Sequence, residues 1–469
     1  MVAVAAAVGT LLTSCAGAKP LADPASYHAG LWPQRPVVEL SFDMAPDLSS
    51  VTGRESIVFT PDIPTCELVF RAWPNNPTMS KAGSSLTVTD TSIDGRPVVS
   101  EVTDAGAPAR SPGTLIEVPL ARCLEPGQSV RAELGFRLVL GADADERVGY
   151  SPGTQTAWFG SGFPMLAWVR GSGWARDPAV VINGESATSE DFTLSTLSVT
   201  APTGYRVMGT GTATGDGGGR TAGEGTGRTA HRFTAPAVRD VTVAIGRYDV
   251  LDRDIGGVRL HLATPQAGTR AEPQEWADEI DAAITRLTKV FGPFPYPEFW
   301  VTITPGQSDG TEFPAALQFG DVRPRQLGSL VAHEVAHQWF YSLVGNNQAE
   351  HPWLDESLAT LGEAVASSSD YQYGDISRRV AGRMGRPMSY WADNGGYQGY
   401  TEGVYDQGAA VLLEARRQVG ADRFDTVLRS YIAANAHQVA TPADFAHAFA
   451  AQPKVLDLLG QAGALPNDR

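Results

Sequence analysis

A chain of 469 residues has room for two or three domains, and 42% hydrophobic content with ten tryptophans is enough to fill their cores. The formal net charge of −16 argues against a nucleic-acid-binding surface, which needs clustered basic residues, and suits a soluble exported protein.

The first residues, MVAVAAAVGTLLTSCAG, form an apolar run too short for a comfortable transmembrane helix. Leu12-Thr13-Ser14-Cys15 resembles a bacterial lipobox, where the chain is cut before the cysteine and the cysteine carries a lipid. No Lys or Arg precedes the apolar run, a departure that a start upstream of Met1 would explain. Residues 1–15 are therefore expected to be a signal and lipobox segment. Residues 16–35 follow as an Ala-, Pro- and Gly-containing tether. The expectation is an exported protein held through Cys15 to the extracytoplasmic face of the membrane; a simple cleaved signal is the alternative. In an oxidising compartment the two other cysteines, Cys66 and Cys123, are expected to form a disulfide, with two buried thiols as the alternative.

From 36 to 250 the pattern is β. VVELSFDM, ESIVFT, CELVFRAW and VRAELGFRLVL are short, alternating and punctuated by turns. Asp94-Gly95 predicts a tight hairpin, and GTGTATGDGGGRTAGEGTGRT reads as a loop between strands. The character changes over 251–455. GGVRLHLATP and EFWVTITPG read as strands. PQEWADEIDAAITRLTKVFG, RQLGSLVAHEVAHQWFYSLVG (stopped by Gly345), LDESLATLGEAVASS and DQGAAVLLEARRQVG read as helices. An all-β, sandwich-like domain thus precedes an α+β domain, with 456–469 as a tail.

His333, Glu334 and His337 form a His-Glu-x-x-His motif, which places both imidazoles on one helical face. With only eight histidines in the chain, an accidental match is roughly a one-in-a-hundred event. Zinc catalysis needs a third protein ligand and an open position for water. Glu356 follows His337 with eighteen residues between them, on a second helix reached through one loop. Asp355 and His351 are the rival ligands.

This pattern, with Trp353-Leu354-Asp355-Glu356 around the third ligand, resembles the signature of the aminopeptidase N-like zinc metallopeptidases, the gluzincins. FGPFPYPEF (291–299), GTEFPAALQF (310–319) and VYDQGAAVL (404–412) resemble further family segments. WARDPAVVINGES and LSVTAPTGYRVMGTG are similar to the family's N-terminal β domain. The resemblance runs from about residue 30 to about residue 450. It implies a thermolysin-like catalytic domain with one Zn2+ held by His333, His337 and Glu356. It implies Glu334 as general base, Tyr405 as the oxyanion donor and Glu312 as the group binding a peptide's α-amine. Three departures bear on these roles: Gln407 stands for the family's lysine, Thr311 for Met, and Asp309 for Gly. Tyr400 is the competing tyrosine. Glu363, seven residues after Glu356, is either an acceptor orienting a ligand or a solvated glutamate. Only about fifty residues follow the Tyr405 helix, so no long C-terminal helical repeat domain is expected. The expected activity is zinc-dependent removal of N-terminal residues from peptides. The alternatives are an endopeptidase or other zinc hydrolase, or a surface-anchored binding protein on a peptidase scaffold.

Overall fold

A computed structural model describes residues 27, 31–182, 189–214, 220–221, 227–367 and 378–465. Cys15, with the rest of the 1–15 segment, lies outside them, as does much of the glycine-rich stretch between 215 and 226.

The N-terminal part is built on a nine-stranded sheet with two smaller sheets, of four and five strands, beside it. Strand Val37–Met44 shows why it forms: Val38, Leu40, Phe42 and Met44 are buried and alternate with exposed residues, the period of a half-buried strand. It pairs antiparallel with Ser50–Phe59 and parallel with Phe192–Pro202. Asp94 and Gly95 both take positive φ, 51° and 74°, the geometry of a two-residue hairpin turn, and Ile93 pairs with Arg96 across it. Cys66 and Cys123 are bridged, joining strands Thr65–Arg71 and Leu115–Leu124. A short helix, α1 (Pro77–Lys81), is capped by the Asn76 side chain.

The second sheet has the order Tyr248–Ile255, Val258–Pro265, Glu298–Thr304, Ala316–Gly320, Gly310–Phe313. It begins at Tyr248, just ahead of the expected boundary at 251. Helix α2 (Pro273–Phe291) is the crossover between its parallel strands Val258–Pro265 and Glu298–Thr304. The helix starts with proline in its first turn, buries Trp276, Ile280, Ile284 and Leu287 along one face, and ends at Gly292 with φ 99°. Gly310–Phe313 is the antiparallel edge strand, and the chain enters its neighbour through Pro314 and the left-handed Ala315, φ 59°.

Helices complete the domain: α3 (Gly328–Ala336), α4 (Glu356–Ala366), α5 (Met388–Asp393), α6 (Gly396–Tyr400), a π-helix (Thr401–Asp406), α7 (Gln407–Val419), α8 (Ala421–Asn435), α9 (Pro442–Ala448) and α10 (Pro453–Gln461). Helix α10 runs across the expected tail boundary at 456. Among the described residues no long helical repeat domain follows.

The helix carrying the motif ends at Ala336, with His337 as its C-cap, and not at Gly345. Tertiary contacts override the helical sequence pattern. Tyr341 turns left-handed, φ 75°, and its hydroxyl donates to Asp240 Oδ2 at 2.8 Å. Arg239 donates to the carbonyls of Ser342 and Leu343 and pairs with Asp191 at 2.7 Å; Asp191 also meets His437 Nδ1 at 2.5 Å. Asp191, Arg239 and Asp240 belong to the β part, so buried polar bonds clamp the segment after α3 to it.

Candidate metal centre and active site

Helices α3 and α4 pack side by side and bring three donor atoms together. His333 Nε2 lies 3.1 Å from His337 Nε2 and 3.2 Å from Glu356 Oε2, and His337 Nε2 lies 3.5 Å from Glu356 Oε2. Ligands about 2.1 Å from a tetrahedral zinc stand about 3.4 Å apart, so this triangle has the dimensions of a zinc face. All three residues are buried. Burial alone would lower both imidazoles, but Glu356 and Glu363 lift His333 to about 9, and Asp355 lifts His337 well above its ordinary value. Two imidazolium nitrogens facing each other at 3.1 Å would repel, whereas a cation bound by both, with Glu356, satisfies all three.

The far sides of the imidazoles are held. Asp355 Oδ1 lies 2.8 Å from His337 Nδ1, and Gln348 Nε2 donates to the other Asp355 oxygen at 2.8 Å. Asp355, a rival ligand on sequence grounds, therefore fixes the ring whose Nε2 joins the donor triangle. Glu363 Oε2 is 3.6 Å from His333 Nδ1, which makes it an orienting group and not a solvated glutamate. His351 starts the short helical turn Pro352–Leu354 and is neither in the donor triangle nor in the lining of the adjoining cavity.

The donors open on a cavity of about 410 Å3, which also receives Glu312, Glu334, Arg147 and Tyr405. Glu334 is buried, one of its oxygens has no partner, and burial raises its pKa to about 8 against the pull of His333 and His337. Glu312, on the edge strand, is 2% exposed; its Oε1 has no partner, and burial raises its pKa while His337 and Arg147 oppose the rise. Tyr405 stacks on His333, centroids 5.6 Å apart and planes 10° apart. Tyr400 is fully buried behind it and, unlike Tyr405, does not line the cavity. Gln407, in the place of the family's lysine, points its amide into the π-helix.

The sequence reading missed Gly310 and Arg147. A Cβ on Gly310 would fall 2.4 Å from Glu334 Cγ, so only glycine leaves room for that side chain. The glycine was visible in the sequence two residues before Glu312, but its partner is known only from the fold. Arg147 reaches the cavity from the β part and lies over the Phe313 ring at 5.6 Å.

A β domain is thus joined to an α+β unit whose two packed helices converge a His-Glu-x-x-His pair and a downstream glutamate, the arrangement that the resemblance to gluzincins implied. Residues 321–459 match the Peptidase family M1 domain. Aminopeptidase M1-D of Oryza sativa subsp. japonica is 25% identical over 237 residues, covering 44% of this chain and 26% of that protein. Endoplasmic reticulum aminopeptidase 1 of Homo sapiens is 31% identical over 115 residues, covering 22% and 12%. The chain thus spans about a quarter or less of the length of these relatives. The M1 zinc metallopeptidase from Deinococcus radiodurans superposes with TM-score 0.65 at 20% identity, covering 92% of this chain and 94% of that one. A mutant of the Deinococcus enzyme bound to a Tyr-Ser-Ala substrate gives the same score at 19% identity, covering 95% and 98%. Residues 321–459 thus carry the match to the M1 peptidase family, and over most of its length the chain is similar in fold to the Deinococcus metallopeptidase. The matched M1 domain implies one zinc, and His333, His337 and Glu356 have the chemistry and spacing to hold it.

Proposed function

We propose that the protein is a zinc-dependent aminopeptidase that releases N-terminal residues from peptides. The observation that carries this reading is Glu312, a buried carboxylate with a partnerless oxygen, lining the same cavity as the donor triangle and Glu334. A substrate's protonated α-amine supplies the missing partner, and that contact sets the first peptide bond over the metal. An internal peptide bond brings no cation to Glu312. A zinc held by His333, His337 and Glu356 would supply Lewis acidity, lowering the pKa of a water and polarising the scissile carbonyl. Glu334 takes the water's proton and hands it to the leaving amine, a task suited to a carboxyl whose pKa is raised towards neutrality. Tyr405 donates its hydroxyl proton in a hydrogen bond to the oxygen that gains negative charge. Glu363 and Asp355 keep the imidazoles aimed.

Zinc analysis with turnover of aminoacyl-coumarin substrates tests the reading. The wild type should hold zinc and turn over, and Glu334→Gln should hold zinc and not turn over. Peptides with acetylated N-termini should be poor substrates. Equal rates on free and acetylated peptides would overturn the aminopeptidase reading in favour of an endopeptidase.

Export and lipid attachment through Cys15 belong to the same proposal and rest on the Leu12–Cys15 run. Cys15→Ser should release the protein from the membrane fraction; unchanged fractionation would remove the anchor.

A further inference from the structure

We propose that Ser357 and Gln407 are positioning residues for Tyr405, acting through the π-helix that carries it. The inference rests on the role given to Tyr405 above and adds the means by which its hydroxyl is aimed. Ser357 directly follows the metal donor Glu356 on α4 and is fully buried. Its hydroxyl donates to the carbonyl oxygen of Val404 at 2.7 Å, one residue before Tyr405. Gln407 bonds the π-helix at its other end. Its backbone N–H donates to Glu402 O, five residues back, and its side-chain Nε2 donates to Gly403 O at 3.1 Å. The same side chain's Oε1 accepts from Gly382 N–H at 3.2 Å, so the amide is fixed from both sides.

Two consecutive carbonyls before Tyr405, those of Gly403 and Val404, are thus held by side chains. This is what a π-turn requires: it widens the helix by a residue and pulls carbonyls out of line with the amides that an α-helix would offer. The close approach is built in at Gly408, where a Cβ would fall 2.0 Å from Ser357 Oγ. Helix α4 therefore sets both the third metal donor and, through the next residue, the segment that carries Tyr405. One rigid element fixes the distance between them. The Tyr405 ring so carried stacks on the ring of His333.

Ser357→Ala removes the donor to Val404 and leaves the helix otherwise intact. Tyr405 should lose its alignment, lowering kcat by about five- to fiftyfold, because misplacing a catalytic group by a fraction of an ångström already costs rate. KM and the zinc content should hardly change. A merely structural role would not produce the next two results. In a Tyr405→Phe background, Ser357→Ala should slow the enzyme no further, since the group it aims is gone. By calorimetry, a phosphinic pseudodipeptide mimicking the tetrahedral state should bind Ser357→Ala more weakly than wild type by a similar factor, while the free amino acid product binds both equally. Gln407→Met should behave likewise in the same cycle. Full activity in Ser357→Ala, loss of zinc, or an undiminished effect in the Tyr405→Phe background would overturn the inference. An inactive, zinc-loaded wild type would instead overturn the reading on which it rests.

Discussion

Replacing Gly310 with alanine should cripple turnover and leave the metal in place. Gly310 opens the edge strand opposite Glu334, and a Cβ there would lie 2.4 Å from Glu334 Cγ and 2.6 Å from its Cδ. Carbon atoms in contact rest at about 3.5 Å or more, so the carboxylate must retreat by about 1 Å. The backbone is no obstacle, because Gly310 does not use the left-handed region that favours glycine. The three atoms nearest the new methyl all belong to Glu334, so the donor triangle should stand. A shift of about 1 Å in a reacting group costs on the order of a hundredfold in rate, equivalent to about 2.7 kcal/mol of barrier. The assay is kcat and KM on an aminoacyl-coumarin with zinc measured on the same samples. In a Glu334→Ala background the space is already vacated, and the added methyl should change neither zinc content nor Tm. Near wild-type kcat in Gly310→Ala would refute both the steric argument and the use of Glu334 as base.

The metal donors were legible in the sequence because each rests on a local rule. Two histidines four apart face one way on any helix, and a loop long enough to reverse the chain can return Glu356 to them. The Asp94-Gly95 hairpin and the end of α2 at Gly292 were legible for the same reason, since each residue's backbone preference acts on its immediate neighbours. What could not be read depended on partners distant in sequence. The helix pattern continues past His337, yet Tyr341 reverses the chain because Asp240, a hundred residues earlier, holds its hydroxyl. The π-helix before α7 has no local signature either; its Val404 carbonyl is held by Ser357, 47 residues earlier. Asp355 was recognised as chemically suitable beside the metal, but only the side-chain direction separates a ligand from a group that orients one.

The remaining predictions test the donors, the amine contact and the clamp between the two parts. Glu356→Gln should weaken zinc binding severely, since a neutral amide oxygen replaces an anionic donor, and full zinc in a His333→Ala variant would refute the donor set. Glu312→Ala should lower kcat/KM on free-amine substrates by about tenfold to a few hundredfold, the worth of a charge-assisted contact, with zinc retained and acetylated peptides unaffected. Asp191→Asn should destabilise the fold in a pH-dependent way. Burial opposes the Asp191 charge, but Arg239 at 2.7 Å and His437 at 2.5 Å overcome it and hold its carboxyl below the ordinary value. A carboxyl whose folded pKa is depressed adds stability that is present above its unfolded value of about 3.9 and disappears as pH falls through the folded value. The wild type should therefore exceed the Asn variant most at neutral pH. There the substitution leaves Arg239 buried without its anion, a loss of about 3–5 kcal/mol. The gap should narrow once the pH drops below the range where the unfolded carboxyl titrates. Thermal unfolding of both proteins from neutral to strongly acid pH measures this difference. A gap that stays constant across that range would mean that the Asp191 charge does not hold the β part to the segment after α3, and that the clamp is a matter of packing alone.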